Sequence, residues 1–423
     1  MKILHTVESY DPETHGMQQV VKQLSERLVL AGHKVTVATR YHQNRKRSII
    51  NGVKIEEFKI SGKEVAGYDA EDSEIKRYRD FLIDSNFDII TNFAAQQWAT
   101  DLALPILNKI KATKIFVPTG FSELNNPRFN DYFISMKEWM KGYNMNIFLS
   151  NDYQDINFAR KNDIKNITVI PNGASEEEFT ESRTIDIRKQ LHIPDEHFLI
   201  LVVGSHTGLK GHKEAIKIFK KTKIKKATLL IVGNSTHNQG KLNYVIKFIV
   251  KTIANLFTIV SGKKFHPACF ISCTTKSIQQ KLSFDSFYNQ KKLLVKNLSR
   301  EQTISAYLAA DLFLFPSNIE CSPLVLFECM ASKTPFLTTD VGNSQEIIAW
   351  SNAGELLPTK KQKNGLSIAN IKQSAVCLEN IYAQPDLRES MKKNGFDAFN
   401  EKFSWKKISK AYEELYSNLN INN

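Results

Sequence analysis

Cysteine is scarce, and its distribution suits no disulfide framework. The five cysteines (Cys269, Cys273, Cys321, Cys329, Cys377) all fall in the second half of a chain of 423 residues. An odd count in a chain of this size argues against the stapled small domains of secreted proteins. Long hydrophobic runs are missing as well. No window reaches the ~18 consecutive apolar residues that a membrane span needs, and the opening MKILHTVESYD has no apolar signal-peptide stretch. Both absences lead to the expectation of a soluble, cytoplasmic protein. Acidic residues are in deficit, 44 Asp+Glu against 57 Lys+Arg, for a net charge of +13. Such a balance suits nucleic acid, an anionic membrane surface or an anionic small substrate, and does not choose among them. With 42% hydrophobic and 24% charged residues, the chain is not disordered, collagenous or coiled-coil. Its length predicts two or three domains.

The first half alternates short apolar runs with helical periodicity. Strands are expected at Lys2–Val7, Val35–Ala38, Val53–Ile60, Phe87–Ile90, Lys114–Val117, Asn146–Leu149 and Thr168–Ile170. Val20, Val21, Leu24 and Leu28 line one face of a helix running from Gln18 to Leu30, and Gly32 stands where a C-cap glycine would. A second helix is expected over Trp98–Ile110. Strands separated by helices imply a parallel sheet with right-handed crossovers. The rhythm stops at Pro171-Asn172-Gly173, and an acidic stretch through Glu176-Glu177-Glu178 reads as irregular. A second series then begins, with strands at Phe198–Val203, Ala227–Val232, Leu293–Val295, Leu312–Phe315 and Pro335–Thr338. Its helices are expected at Lys213–Lys221, Glu301–Ala310 and Leu324–Ala331. Two doubly wound α/β domains, joined near residues 172–195, are the expected architecture. In such sheets ligands bind beyond the carboxyl ends of the strands, and the cleft between two facing sheets is the default site. Residues 235–290 interrupt the second series and form an insertion. Within it Leu242–Val260 reads as a helix, either amphipathic on a membrane surface or packed on its own domain, with packing favoured.

Three segments carry chemistry. Thr14-His15-Gly16-Met17-Gln18 follows the first strand and opens the first helix, where a glycine lets backbone approach a ligand and free N–H groups meet an anion. Gly204-Ser205-His206-Thr207-Gly208-Leu209-Lys210-Gly211-His212 follows the strand Phe198–Val203. A lysine beside glycines above a strand's carboxyl end suits a diphosphate. In Pro316-Ser317-Asn318-Ile319-Glu320-Cys321-Ser322-Pro323-Leu324-Val325-Leu326-Phe327-Glu328, Glu320 ends a loop and Glu328 lies about one turn into a helix beginning near Pro323. Proline suits a helix's first turn, so the N–H groups of Leu324 and Val325 are available to an anion. A carboxylate at Glu328 can accept hydrogen bonds from a ribose diol, and Glu320 can meet sugar hydroxyls.

Taken together, these segments resemble the retaining glycosyltransferases of family 4. The Glu320/Glu328 pair, spaced E-x7-E within PSNIECSPLVLFECMASKTPFLTTDVGNSQEII, carries most of the likeness. THGMQQVVKQLSERLVLAGHKVTVAT resembles that family's opening glycine loop and first helix, VIPNGASEEEF its interdomain linker, LKGHKEAIKIF its donor-phosphate loop and FSWKKISKAYEELY its closing helix. The resemblance implies the α/β GT-B fold, two Rossmann-like doubly wound parallel-sheet domains facing across a cleft. Residues 1–175 would bind the acceptor, residues 176–403 the nucleotide-sugar donor, and the helix 404–423 would pack back on the first domain. It implies roles as well. Lys210 would neutralise the donor diphosphate, Glu320 would contact the donor sugar and Glu328 would hold the ribose. Gly204 and Ser205 belong to the donor loop, while the backbone at Gly16, Met17, Ser322, Pro323, Leu324 and Val325 would approach the phosphates. The chain contains no Asp-x-Asp, which fits the family's metal-independent phosphate handling, so no metal or other cofactor is expected. Some positions depart from the family pattern. Ser205 stands where an arginine is usual, so a bidentate phosphate clamp is lost unless His206, His212 or another residue substitutes. Cys321-Ser322 replaces Gly-Phe, His15-Gly16 replaces paired glycines, and Pro118-Thr119-Gly120-Phe121 lacks the usual histidine.

The implied activity is transfer of a sugar, with retained configuration, from a nucleotide-sugar to a saccharide or lipid-linked saccharide, in bacterial surface-polysaccharide synthesis. The net charge is compatible with a peripheral position on the inner face of the plasma membrane. A GT-B epimerase, a glycosidase with paired carboxylates and a basic nucleic-acid-binding protein are the alternatives. A glycosidase needs no phosphate-type loop. The lysine run Lys217–Lys226 reads better as a cationic helix end than as a nucleic-acid surface, since no recognised binding module accompanies it. His266, Cys269 and Cys273 offer three candidate metal ligands with no clear fourth and read as reduced thiols and a histidine in an insertion.

Overall fold

The computed structural model describes residues 1–13, 16–84, 86–180, 185–233, 291–362 and 365–421. The Leu242–Val260 helix and the His266/Cys269/Cys273 cluster lie outside the described residues, as do Thr14 and His15. The chain separates into two compact units. One comprises Met1–Glu176, Cys321–Phe327 and Ala398–Asn423, the other Glu177–Glu320 and Glu328–Asp397.

The first unit is built on ten strands: β1 (Lys2–Thr6), β2 (Lys34–Arg40), β3 (Ile49–Ile50), β4 (Val53–Phe58), β5 (Ser61–Lys63), β6 (Gly67–Asp69), β7 (Ile89–Phe93), β8 (Thr113–Val117), β9 (Met145–Phe148) and β10 (Ile167–Val169). Eight of them form one sheet in the order β10-β9-β8-β7-β1-β2-β4-β3, and β5 and β6 make a separate hairpin. Every pairing in the large sheet is parallel except the edge pair β3–β4. The strands read as continuous apolar runs because helices cover both faces. The helix Gly16–Leu30 buries the Val20, Val21, Leu24 and Leu28 stripe. It ends where Gly32 turns left-handed at φ +92, with His33 N–H donating back to the Leu28 carbonyl.

Two expectations fail. Trp98–Ile110 is not one helix: a turn at Trp98–Asp101 gives way to a 3₁₀ segment Leu104–Lys109. Pro105 lies at its start, and a proline has no N–H for an α-helical bond. The acidic stretch is also partly ordered, as a helical turn over Glu176–Thr180. Three helices went unread, Asp72–Asp84, Asn130–Lys141 and Gln154–Lys161. The last helix, Trp405–Ile421, joins this unit. Its Tyr416 hydroxyl lies 2.7 Å from Thr91 Oγ1 and 3.3 Å from His5 Nε2 in the sheet, and Glu413 pairs with His33 at 2.9 Å. At its start, Ala174 and Ser404 form a parallel bridge.

Among the described residues the second unit has a sheet of six parallel strands in the order β13-β12-β11-β14-β15-β16. They are β11 (Phe198–Val203), β12 (Ala227–Val232), β13 (Lys291–Lys296), β14 (Leu312–Phe315), β15 (Phe336–Thr338) and β16 (Gly354–Leu356), and β17 (Thr359–Lys361) pairs with β18 (Ser367–Ala369) as an antiparallel hairpin. The helix Arg300–Ala309 starts on a capping box, Ser299 accepting from Gln302 N–H and Gln302 accepting from Ser299 N–H. Among the described residues no helix is long and apolar enough to cross a membrane.

Candidate functional site

In a doubly wound sheet the strand order reverses at one point, and the loops on either side of it diverge to leave a crevice. In the second unit the reversal lies between β11 and β14. The loops leaving those two strands are Gly204–Gly211 and Pro316–Glu320, two of the three segments singled out in the sequence.

They are locked together. Asn318 N–H donates to the Leu209 carbonyl at 2.7 Å, and Ser317 Oγ lies 3.1 Å from the same oxygen. Gly211, at φ +67, caps the helix His212–Lys221, and a Cβ there would stand 1.8 Å from the Pro316 carbonyl oxygen. Only glycine fits so close an approach. From below, Asn318 Nδ2 donates to the Ser367 carbonyl and Ser367 N–H returns to the Asn318 carbonyl, pinning the second loop to the hairpin β17–β18.

At the meeting of the loops Lys210 Nζ donates to Glu320 Oε1 at 2.7 Å, and the buried Ser317 Oγ lies 2.7 Å from that same oxygen. Gly204 packs against the Lys210 stem, while Ser205 is exposed. Two histidines share this loop with Ser205. His212 Nδ1 lies 3.2 Å from His206 Nδ1. Burial, helped by the charges of His206 and Lys210, holds the His212 pKa down to about 3. Burial lowers that of His206 too. Both rings are therefore neutral at pH 7, and Lys210 is the cation of this loop.

Glu328 sits on the helix Leu324–Ala331. Its Oε1 accepts from Arg300 Nη1 at 2.6 Å, and Arg300 grips Glu178 with Nη2 and Nε at 2.6 and 3.3 Å. The Arg300 guanidinium lies over the Phe179 ring, 5.8 Å from its centroid. Sequence reasoning missed Arg300, Glu178 and Ser317. Only the capping box beside Arg300 was a local signal, since its partners lie 28 and 122 positions away.

The remaining expected residues lie in the first unit. Gly16 opens its helix, exposed, with Met17 half-buried beside it. Cys321–Phe327 clusters with them: a Cβ on Gly16 would stand 3.9 Å from Leu324, and Asn172 Nδ2 donates to the Ser322 carbonyl at 3.1 Å. Pro323 precedes the helix that Leu324 and Val325 begin, so their N–H groups have no partner within it. Among the described residues no group of three or more His, Cys, Asp or Glu is placed to hold a metal ion.

Residues 286–397 match the family of glycosyl transferases group 1. The whole chain is 24% identical, over 98% of each sequence, to an uncharacterised glycosyltransferase of Methanocaldococcus jannaschii. Among solved structures, sucrose-phosphate synthase from Thermosynechococcus elongatus superposes with a TM-score of 0.74 at 17% identity, covering 100% of each chain. HepE from Anabaena, solved in complex with UDP, superposes with a TM-score of 0.69 at 14% identity, covering 99% of this chain and 100% of its own. The fold is GT-B. With the group 1 domain, it makes the protein a glycosyltransferase, an enzyme of the transferase class.

Proposed function

We propose that this glycosyltransferase moves a sugar from a nucleotide-sugar donor to a saccharide or lipid-linked saccharide acceptor, with retained anomeric configuration, in surface-polysaccharide assembly. The observation that carries the donor reading is the Lys210–Glu320 pair at the β11/β14 strand-order reversal. An ammonium there offsets the charge that grows on a leaving diphosphate, and its carboxylate partner keeps it aimed in the free enzyme. When the diphosphate takes Lys210, Glu320 turns to the hydroxyls of the donor sugar. Glu328, fixed by Arg300, accepts from the ribose diol. In the first unit, the N–H groups of Leu324 and Val325, without partners inside their helix, are available to an anion. HepE's complex with UDP supports a uridine diphosphate donor. No step needs a metal ion.

The test is a screen of nucleotide sugars for release of free nucleoside diphosphate, with and without EDTA. One donor class is expected to be turned over equally well in both. Lys210→Ala should then lower the rate by ~10²–10³-fold, the usual loss when one contact to a developing anion is removed. No release from any nucleotide sugar would refute the donor reading. Loss of activity in EDTA, restored by Mg²⁺ or Mn²⁺, would refute the metal-free one.

A further inference from the structure

Glu328, the ribose contact of the donor reading, does not act alone. Glu328, Arg300 and Glu178 form a chain of ion pairs inside the second unit, and its far end lies on the helical turn Glu176–Thr180. The two links are unequal. Arg300 meets Glu178 as a fork, with Nη2 and Nε reaching both carboxylate oxygens at 2.6 and 3.3 Å. It reaches Glu328 through Nη1, on Oε1 at 2.6 Å. A two-pronged pair fixes the plane of a guanidinium as well as its distance. A single bond leaves a carboxylate, which has about four acceptor sites, with room for the hydroxyls of a diol.

Burial does not set the direction of the Arg300 side chain, which is 47% exposed, against 13% for Glu328. The turn sets it. Phe179, next to Glu178, is buried, with its ring edge-on to Tyr307 at 5.9 Å and the Arg300 guanidinium 5.8 Å from its centroid. Tyr307 lies on the same helix as Arg300 and is near Glu328 in turn. Burial, and then the charge of Glu328, push its hydroxyl pKa well above the usual value. The capping box of Ser299 and Gln302 fixes the backbone from which Arg300 projects. Glu178 is therefore what occupies the fork. Without it, the fork is free to close on Glu328 and take both oxygens that a ribose diol would use.

We propose that Glu178 is a positioning residue for nucleotide recognition. By engaging the fork of Arg300 it limits that guanidinium to one bond with Glu328, and so keeps the carboxylate open to the 2′- and 3′-hydroxyls of a ribonucleotide. The proposal rests on the ribose reading of Glu328. It adds that the preference for a ribonucleotide over its deoxy form is set from the turn that opens the second unit, by a residue that touches no part of the nucleotide.

The experiment is calorimetry on the full chain with UDP, GDP and ADP, each against its 2′-deoxy form. At least one ribonucleotide is expected to bind the native protein about tenfold more tightly than its deoxy partner, the loss expected for one hydrogen bond to a charged group. Glu178→Ala should remove most of that preference. Arg300→Ala removes the fork itself, so adding Glu178→Ala to it should change nothing further. A merely structural role for Glu178 would weaken the ribo and deoxy forms alike, and would add to the Arg300→Ala loss. The proposal is overturned if Glu178→Ala keeps the native preference, or if its effect is the same with and without Arg300. Glu328→Ala separates this outcome from the ribose reading. If that variant keeps the preference, or if the native protein has none, the ribose reading falls and the proposal falls with it. If Glu328→Ala loses the preference and Glu178→Ala does not, the ribose reading stands and the proposal alone is overturned.

Discussion

Gly211→Ala is the substitution with the sharpest expected consequence. Two effects add. At φ +67 an alanine occupies the left-handed region, at a cost of about 1–2 kcal/mol. Its Cβ would also stand 1.8 Å from the Pro316 carbonyl oxygen, so the two loops must part by more than 1 Å, and overpacking of this kind costs a further ~1–3 kcal/mol. The sum, about 2–5 kcal/mol, corresponds to a fall of roughly 1–2 M in the urea midpoint of the second unit. Gly32→Ala separates the two effects, because Gly32 has φ +92 and nothing within 4 Å of an added Cβ. Only the conformational cost applies there. The functional effect should exceed the loss of stability, since parting the loops separates Lys210 from Glu320, and a misplacement of ~1 Å costs ~10²-fold in rate. The assay is equilibrium urea unfolding of both variants, followed by nucleoside diphosphate release at a urea-free temperature where both are folded. If Gly211→Ala lowers the midpoint no more than Gly32→Ala does, the close approach of the two loops is wrong. Undiminished turnover would show that their registration does not position the Lys210–Glu320 pair.

Glu328→Ala should weaken nucleoside diphosphate binding with the fold intact, and Arg300→Ala should weaken it less, by freeing the carboxylate rather than removing it; calorimetry showing unchanged affinity in Glu328→Ala would refute the ribose assignment. Asp155, 2% exposed, accepts from Gly120 N–H at 2.7 Å, and burial raises its pKa to about 6. Its protonated form is thus favoured in the folded state, giving stability that is full below the ordinary value near 3.8 and is lost as pH rises through about 6. The stability of the first unit should therefore change between pH 4 and 7 by up to about 3 kcal/mol differently in the native protein and in Asp155→Asn; parallel curves in pH-resolved urea unfolding would refute it. The net charge and the lysines from Lys217 to Lys226 lead us to expect co-sedimentation with phosphatidylglycerol vesicles at low salt, at ~1 kcal/mol per basic residue near the surface, and absence of pelleting would refute that.

Most strands of the two large sheets were legible because each is a short, mainly apolar run between glycine, proline or polar breaks, while the edge strands β3 and β16, two and three residues long, were not. What escaped was either weakly patterned or decided at long range. The helix Asp72–Asp84 buries only Tyr78 and Leu82 among charged residues, too thin a stripe to announce itself. The hairpin β5–β6 is three residues against three, below the length at which alternation can be counted. Pro105, by contrast, stands in plain view inside the expected helix Trp98–Ile110, where its missing N–H interrupts α-helical bonding. The same division runs through the candidate site. Its loops were findable because a glycine or proline marks each strand-to-helix turn, and the Glu320/Glu328 spacing is a local pattern. The pairing of Lys210 with Glu320 spans 110 positions and that of Arg300 with Glu178 spans 122, and no local signal encodes either.

The two histidines of the donor loop illustrate that division. His206 and His212 sit in the right loop with the right chemistry to meet a phosphate, and from sequence alone they are two of the residues that could stand in for an arginine at Ser205. Whether an imidazole is a cation depends on its solvation, which is a property of the fold. Here the ring of His212 is 3% exposed and each histidine faces the other, so protonating both would set two charges side by side away from water. The loop therefore brings one cation to the strand-order reversal, held by a carboxylate until a better anion arrives. On this argument, restoring an arginine at position 205 should tighten nucleoside diphosphate binding by adding the bidentate contact that neither neutral ring provides. Ser205 is exposed, so the larger side chain has room. Calorimetry on Ser205→Arg with UDP is the measurement, at low and at 0.5 M salt. A gain confined to low salt would mean only a general increase in positive charge, and no gain at either would mean that the diphosphate does not lie against this loop.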